Sequence, residues 1–339
     1  MDRLAVMILA RNEERNIGHC LEALARQTLF AKTDVETSLY VGANGCSDRT
    51  VQIAQEFASK ALDPLGITAE IFDWDRPGKS RSWNRLVHDV LPSGLDYVLA
   101  MDADIELADE FVLANMLDAI QDDPQVDVLS GSPTKDSVRK ARQNLIDRFS
   151  NSVSRLTGHS TVINGSLYLA KAACLSGVWL PDETPGEDGF LNAMVTTRGF
   201  SRAAQPDIVK QLSRPTHYFE SHSPAAFFAH EKRMIVGTMI NRWIFEYLLS
   251  LRLAEPAGPL IDRLNRTHPD WVDKIIAERG SRRWLIPRAL LLRRLAPKHG
   301  LTANYLIRLP ILALATALTI VPAITANRAL KQRGAAAFW

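Results

Sequence analysis

Cysteine is scarce. The 339 residues hold only Cys20, Cys46 and Cys174. Three thiols without metal or redox spacing do not make a disulfide scaffold, and they fit a reducing cytosol. The patterns Gly-x-Gly-x-x-Gly and Gly-x-x-x-x-Gly-Lys-Ser/Thr are absent, which disfavours a dinucleotide fold and a P-loop. A secretory leader is not expected: the apolar run Leu4–Ala10 is short, and Arg11, Glu13 and Glu14 follow at once. Acidic residues are missing after Glu278, where the chain still has 11 basic ones. The first 278 residues carry the other 29 basic residues and all 38 acidic ones. An acidic body with a basic tail points to an anionic surface as the tail's partner. The body gives no sign of nucleic-acid binding.

What is present reads as an α/β chain. The hydrophobic share of 46% supports a full core, and the length allows one large domain or two smaller ones. Short apolar runs at Leu4–Ala10, Leu39–Ala43, Ile67–Phe72 and Tyr97–Met101 read as buried strands. Helical spacing follows the first three: Ile17, Cys20, Leu21 and Leu24; Val51, Ala54, Phe57 and Ala58; Leu86, Val87 and Val90. Strands alternating with helices imply a largely parallel, Rossmann-like sheet covered on both faces. Helices are also expected over Phe111–Ile120, Asp136–Leu156 and Ala225–Leu253. Further strands are expected over Val126–Leu129, within Thr161–Ala170 and within Ser201–Gln211.

The polar residues after the strands gather at one sheet edge, because ligands of such sheets bind at the carboxyl ends of the strands. Asp102-Ala103-Asp104 closes the fourth strand. Two carboxylates at a buried strand end call for a compensating charge. A hard divalent cation, Mg²⁺ or Mn²⁺, completed by phosphates would supply it; an acidic loop start is the plain alternative. Lys79 opens a helix against the helix dipole, which a bound phosphate would explain. Glu13 and Glu14 favour a helix N-terminus in any case. Asn44-Gly45-Cys46-Ser47-Asp48 is a turn with Ser47 or Asp48 as helix cap. Gly165 inside a strand marks close approach of backbone or ligand. Glu187 and Asp188 enter a helix after a Pro- and Gly-rich loop, where they cap it or accept a substrate proton. His217 or His222 is a candidate third metal ligand.

The tail is apolar as well as basic. Leu309–Ala326 is uncharged for 18 residues, about 27 Å as a helix, which just reaches a short membrane span. Upstream, Arg282–Arg294 interleaves arginines with Trp284, Leu285, Ile286 and Leu290–Leu292, which suits an interfacial helix on anionic lipid. A buried helical hairpin with a solvated basic face is the alternative.

Together these segments resemble family 2 glycosyltransferases of the GT-A fold. Met7–Glu14 is similar to that family's opening strand and Asn-Glu-Glu turn, and Asn44–Thr50 to its Asp-Gly-Ser-Thr-Asp-Gly-Thr element. Gly78-Lys79-Ser80 with Asn84, Asp102-Ala103-Asp104 and Glu187-Asp188 are similar to its Gly-Lys-x…Asn, Asp-x-Asp and Glu-Asp motifs. Asn44 stands where many members have Asp. The Gln-x-x-Arg-Trp signature of processive polymerases is absent, and His230–Met234 sits near its place.

The resemblance implies a metal-dependent, inverting transfer of a sugar from a nucleotide-diphospho-sugar to an acceptor hydroxyl; the missing Gln-x-x-Arg-Trp argues for one sugar, and the basic tail, which the resemblance does not cover, for a lipid-linked acceptor beside a saccharide one. It implies nucleotide contacts from Asn12, Glu14, Asn44, Asp48 and Lys79. Asp102 would meet ribose or the metal, Asp104 the metal, and Glu187 the acceptor, while Asp188 would be the base; His217, which the resemblance does not supply, is the candidate third metal ligand. Residues 1–130 would be the donor half and 131–260 the acceptor half. Residues 261–339 would be a tail at the cytoplasmic face of the membrane. A nucleotidyltransferase, or a tethered binding module with a vestigial site, are the alternatives.

Overall fold

The computed structural model describes residues 1–139, 162–219, 224–279, 283–296 and 303–332. Strands β1 (Asp2–Ala10), β2 (Val35–Asn44), β3 (Thr68–Trp74) and β4 (Tyr97–Asp102) pair in parallel around β1. Helices α1 (Ile17–Ala25), α2 (Thr50–Phe57) and α3 (Lys79–Arg85) connect them, and α4 (Val112–Gln121) follows. The two short strands β5 (Glu106–Leu107) and β7 (Pro133–Lys135) flank β6 (Val128–Ser130) in the chain. Then come β8 (Leu167–Lys171), α5 (Glu187–Thr196), β9 (Val209–Gln211) and β10 (His217–Phe219). The main sheet has the order β3-β2-β1-β4-β8-β6-β9. Only β8 runs against its neighbours, pairing antiparallel with both β4 and β6.

Burial on both faces explains why these strands read as unbroken apolar runs. Leu4, Val6 and Ile8 of β1 pack with Ile17, Leu21, Ala54 and Leu117 on one face. Ala5 and Met7 point the other way, towards Trp83, Leu180, Phe190 and Val236. The strand expected within Thr161–Ala170 is shorter, since Ser166 bonds through its N–H and hydroxyl to Asn164 Oδ1 and forms a turn before β8. Most of the helix expected over Asp136–Leu156 lies outside the described residues, as does His222.

His217 is not placed as a metal ligand. It is fully buried in the small sheet β5-β10-β7. Its Nε2 lies 2.7 Å from Ser166 Oγ and its Nδ1 2.9 Å from Thr216 Oγ1. Both ring nitrogens are therefore spent on neighbouring hydroxyls.

The second half is closed by helix α6 (Pro224–Ser250), with α7 (Gly258–Thr267) and α8 (Trp271–Arg279) beyond it. The apolar tail is a pair of helices, α9 (Ala303–Leu318) and α10 (Ile320–Gln332), broken at Thr319. By length and composition the stretch Tyr305–Gln332 could cross a membrane, an 18-residue window of it having a mean hydropathy of 2.0. One side of it is nevertheless core. Ala323, Ala326 and Leu330 pack with Ile240 and Ile244 of α6 in one cluster, and Asn327 Oδ1 accepts from Leu285 N–H at 2.8 Å. Arg294 and Glu231 of α6 form an ion pair at 2.7 Å, with side chains only 11% and 9% exposed. The other side is bare: Leu306, Ile307, Leu314, Ile320 and Val321 are all exposed.

Two predictions follow from burial. Arg294→Ala leaves Glu231 a buried carboxylate without its cation, and should lower stability by about 3 kcal/mol in urea unfolding. Adding Glu231→Gln should restore much of that loss. The second concerns pH. Desolvation holds His217 down at about 4. In the unfolded chain it titrates near 6.5, so the unfolded state alone takes up the proton as pH falls through that range. Stability should drop by about 2 kcal/mol between pH 7 and pH 5 through this residue. Urea unfolding of His217→Gln should show a flatter pH dependence over that window.

Candidate active site

The carboxyl ends of β1, β2 and β3 are laced together by short polar side chains. Asn12 adopts the left-handed region with φ 56°, which asparagine tolerates better than most residues. Its Oδ1 accepts the Ser47 N–H at 2.8 Å. Asp48 accepts from the N–H groups of Glu14 at 3.1 Å and Thr50 at 3.0 Å. Burial opposes its charge, but the hydroxyl and N–H of Thr50 and the Glu14 N–H outweigh it and hold the carboxyl below its usual range. Asn44 is buried; it donates to Ala10 O at 3.0 Å and accepts from Gly78 N–H at 3.2 Å. A carboxylate could not make the first of those bonds, which gives Asn44 a structural reason to depart from Asp.

The centre of the site is Lys79. Its Nζ lies 2.7 Å from Asp102 Oδ1 and 3.0 Å from Glu187 Oε1. A cation at the first residue of α3 is thus explained by two carboxylates. Burial alone would lower the Lys79 pKa; Asp102 and Glu187 reverse that and raise it. Burial pushes Asp102 up to about 6, with Lys79 opposing and Asp104 and Glu187 adding to the rise. At neutral pH Lys79 and Asp102 are therefore both charged.

Helix α3 also grips the loop that delivers Glu187 and Asp188. Arg81 pairs with Asp182 at 3.1 Å and with Glu183. Asn84 exchanges hydrogen bonds with the backbone of Leu180 at 2.8 and 2.9 Å. From the other side Asn241 of α6 donates to Gly186 O at 2.6 Å and accepts from the Thr184 hydroxyl at 2.8 Å. The loop ends on α5, whose first turn carries Glu187 and Asp188. Gly165 lets that turn come close. A Cβ there would lie 3.1 Å from Asp188 Cβ and 3.4 Å from Glu187 Oε1, so the close approach read from the sequence is to α5. Burial raises the Asp188 pKa, Glu187 adds to it, and the Gly189 N–H, Lys79 and Arg233 oppose it.

These parts surround a cavity of about 520 Å³. Asn44, Lys79, Asp102, Asp104, Glu187 and Asp188 line it. Asn12, Glu14, Asp48 and His217 do not: the first three hold turns together, and the histidine is buried in the small sheet. Glu13 lines the cavity where Glu14 was expected. Its pKa is raised by burial, opposed by Asn16 and reinforced by Asp104, Asp102 and Asp48. Arg11, Arg233 and Asn241 also line it and were not singled out as site residues. Alternation of two adjacent glutamates is the only signal that would have offered Glu13, and the Asn12 turn decides which one faces in.

Among the described residues no group of three His, Cys, Asp or Glu side chains is placed to hold a metal ion. Asp104, exposed to the cavity, makes no hydrogen bond or ion pair among the described residues, and Asp102 keeps one oxygen away from Lys79. One or two carboxylates in front of space for phosphates is the donor set that Mg²⁺ or Mn²⁺ accepts.

Residues 5–170 match the family model described as glycosyl transferase family 2. No curated protein sequence matches the chain. Among solved structures, a mannosyltransferase from Pyrobaculum calidifontis, in complex with GDP-Man and Mn²⁺, is similar with a TM-score of 0.51 and 17% identity. The match covers 94% of this chain and 87% of that one. TarS of S. aureus matches at 16% identity and a TM-score of 0.47, over 97% of this chain and 55% of its own length. Glucosyl-3-phosphoglycerate synthase from Mycobacterium tuberculosis, in complex with Mn²⁺, UDP and glucosyl-3-phosphoglycerate, matches at 14% identity and 0.47, over 71% and 80% of the two chains. With the mostly parallel sheet and the match of residues 5–170 to the family 2 model, the chain is a glycosyltransferase.

Proposed function

We propose that the chain transfers one sugar from a nucleotide-diphospho-sugar to an acceptor hydroxyl, with inversion. The observation that carries this is the single cavity in which Asp102 and Asp104 stand at the end of β4 and Asp188 at the head of α5, joined through Lys79 and Glu187. Asn44, Glu13, Asp102 and Lys79 form the donor side. Asp104 and the free oxygen of Asp102 would hold Mg²⁺ or Mn²⁺, which would stabilise the charge of the leaving diphosphate.

Asp188 takes the proton from the acceptor hydroxyl as its oxygen attacks the anomeric carbon. The bond from that carbon to the diphosphate oxygen breaks, and the nucleoside diphosphate leaves with the electron pair. A single displacement inverts the centre. A carboxyl whose pKa is raised by burial suits a base working near neutral pH. Lys79 is a positioning residue that keeps Asp102 and Glu187 at fixed separation. The absence of Gln-x-x-Arg-Trp supports transfer of one sugar rather than chain synthesis.

The acceptor reading, lipid-linked or saccharide, leans on the tail. The exposed side of α9 and α10 is apolar, and the region around it is basic without acids, which suits docking on the anionic cytoplasmic face of a membrane.

A donor screen tests the chemistry: purified protein, Mn²⁺ or Mg²⁺, a panel of nucleotide-sugars, and detection of the released nucleotide. One donor should release nucleoside diphosphate in the presence of metal. Pyrophosphate release would instead mark a nucleotidyltransferase. Asp188→Asn should cut transfer by about 10²- to 10⁴-fold while donor affinity measured by calorimetry stays intact. Near-normal transfer would refute its role as base. Asp104→Ala should abolish the metal's effect on nucleotide binding.

Vesicle co-sedimentation tests the tail. Binding to phosphatidylcholine vesicles should rise when phosphatidylglycerol is added and fall with salt. Ile307→Glu with Val321→Glu should remove it without altering thermal unfolding.

A further inference from the structure

One wall of the cavity is α6. Residues 233, 237 and 241 recur every four positions and share a face of that helix. Gly237 rests on Gly186; a Cβ on Gly237 would come within 3.3 Å of Gly186 Cα. Asn241 holds Gly186 O at 2.6 Å. Two adjacent turns of α6 are therefore fixed against the segment that leads into Glu187 and Asp188.

Arg233 stands one turn further out, about 5.4 Å along the axis. It lines the cavity and is exposed to it. Among the described residues its guanidinium makes no hydrogen bond and no ion pair. A solvated arginine on a convex surface would need no account. This one is on a concave wall, on the helix face that Gly237 and Asn241 hold against the segment leading into Asp188. Burial raises the Asp188 pKa, and the charge of Arg233 is among the groups that oppose the rise. Met234 next to it and Val162 also line the cavity and are partly exposed, giving this end an apolar lip.

We infer that Arg233 anchors the acceptor, and that the acceptor carries an oxyanion, phosphate or carboxylate, close to its nucleophilic hydroxyl. The guanidinium fork matches such a group in two-point geometry. Arg233 lies about one helical turn from Gly237, which rests on Gly186 just before Glu187 and Asp188, so the anion and the reacting hydroxyl would be a few covalent bonds apart. The inference rests on the reading of Asp188 as base. An anionic lipid headgroup and a free phosphorylated or acidic alcohol share this chemistry.

The test uses the full-length protein with its donor and Mn²⁺. The acceptors are phosphatidylglycerol against diacylglycerol in micelles, glycerol 3-phosphate against glycerol, and cell extract split by an anion exchanger into bound and unbound fractions. Transfer should go to the anionic member or the bound fraction, and the productive pair tells a lipid source from a free one. Arg233→Ala should raise the acceptor KM about tenfold or more, and Arg233→Lys by less. The Kd of the nucleoside diphosphate with Mn²⁺, measured by calorimetry, should not move, which also shows that the variants are folded. Activity confined to neutral acceptors, or an acceptor KM unmoved by Arg233→Ala, overturns the inference. A parallel loss of nucleotide affinity assigns Arg233 to the donor and overturns it too. Wild-type protein that binds no nucleotide-sugar refutes the glycosyltransferase chemistry itself, a different failure.

Discussion

The ion triad of Asp102, Lys79 and Glu187 is the constraint on which the site depends. Each member comes from a different element: the end of β4, the start of α3 and the start of α5. Removing the cation would leave two partly buried carboxylates facing each other, with Asp104 and Asp188 close by. Such an arrangement is unfavourable by several kcal/mol. The surrounding polar contacts serve the same end. Arg81 and Asn84 hold the loop before α5 from one side, and Asn241 holds it from the other. The two walls of the cavity are thus set by electrostatics first and by packing second.

Much of the frame is legible in the sequence. A parallel strand buried on both faces must be apolar throughout, so β1, β2 and β4 announce themselves, and the polar residues after them fall at one edge. The carboxylates Asp102, Asp104, Glu187 and Asp188, with Lys79 and Asn44, are recoverable on the same logic. What is lost is direction within a turn. Asn12 in a left-handed conformation rotates the following backbone, so Glu13 faces the cavity and Glu14 faces Arg49. No periodicity carries that information. Lys79 was legible as a cation in need of an anion, but a carboxylate 108 residues away along the chain satisfies it as well as a phosphate would. His217 could not be separated from a ligand because Ser166, the partner of its Nε2, becomes a neighbour only in the folded chain, while the adjacent Thr216 occupies only Nδ1.

The tail shows the same limit. Its uncharged run reads as one membrane-length segment, yet Thr319 divides it, Ala323 and Ala326 turn one side inwards onto α6, and Asn327 bonds the backbone of Leu285. Composition fixes how much apolar surface there is, not which part of it the rest of the chain covers. The buried Glu231–Arg294 pair makes the docking specific, since sliding the tail would separate two desolvated charges.

The antiparallel course of β8 has a consequence for fidelity. Because it enters the sheet at the edge where its neighbour β4 leaves, Gly165 arrives beside Asp102 and under Asp188. The pairing of Leu167 with Met101 fixes that arrival. A slip of one residue would present Asn164 or Ser166 in place of the glycine and push α5 away. The same slip would turn Leu167 and Leu169 out of one core and Tyr168 out of the other. A misaligned site is therefore also a badly packed protein, and the hydrophobic pattern of five residues acts as a proofreader for the spacing of the carboxylates.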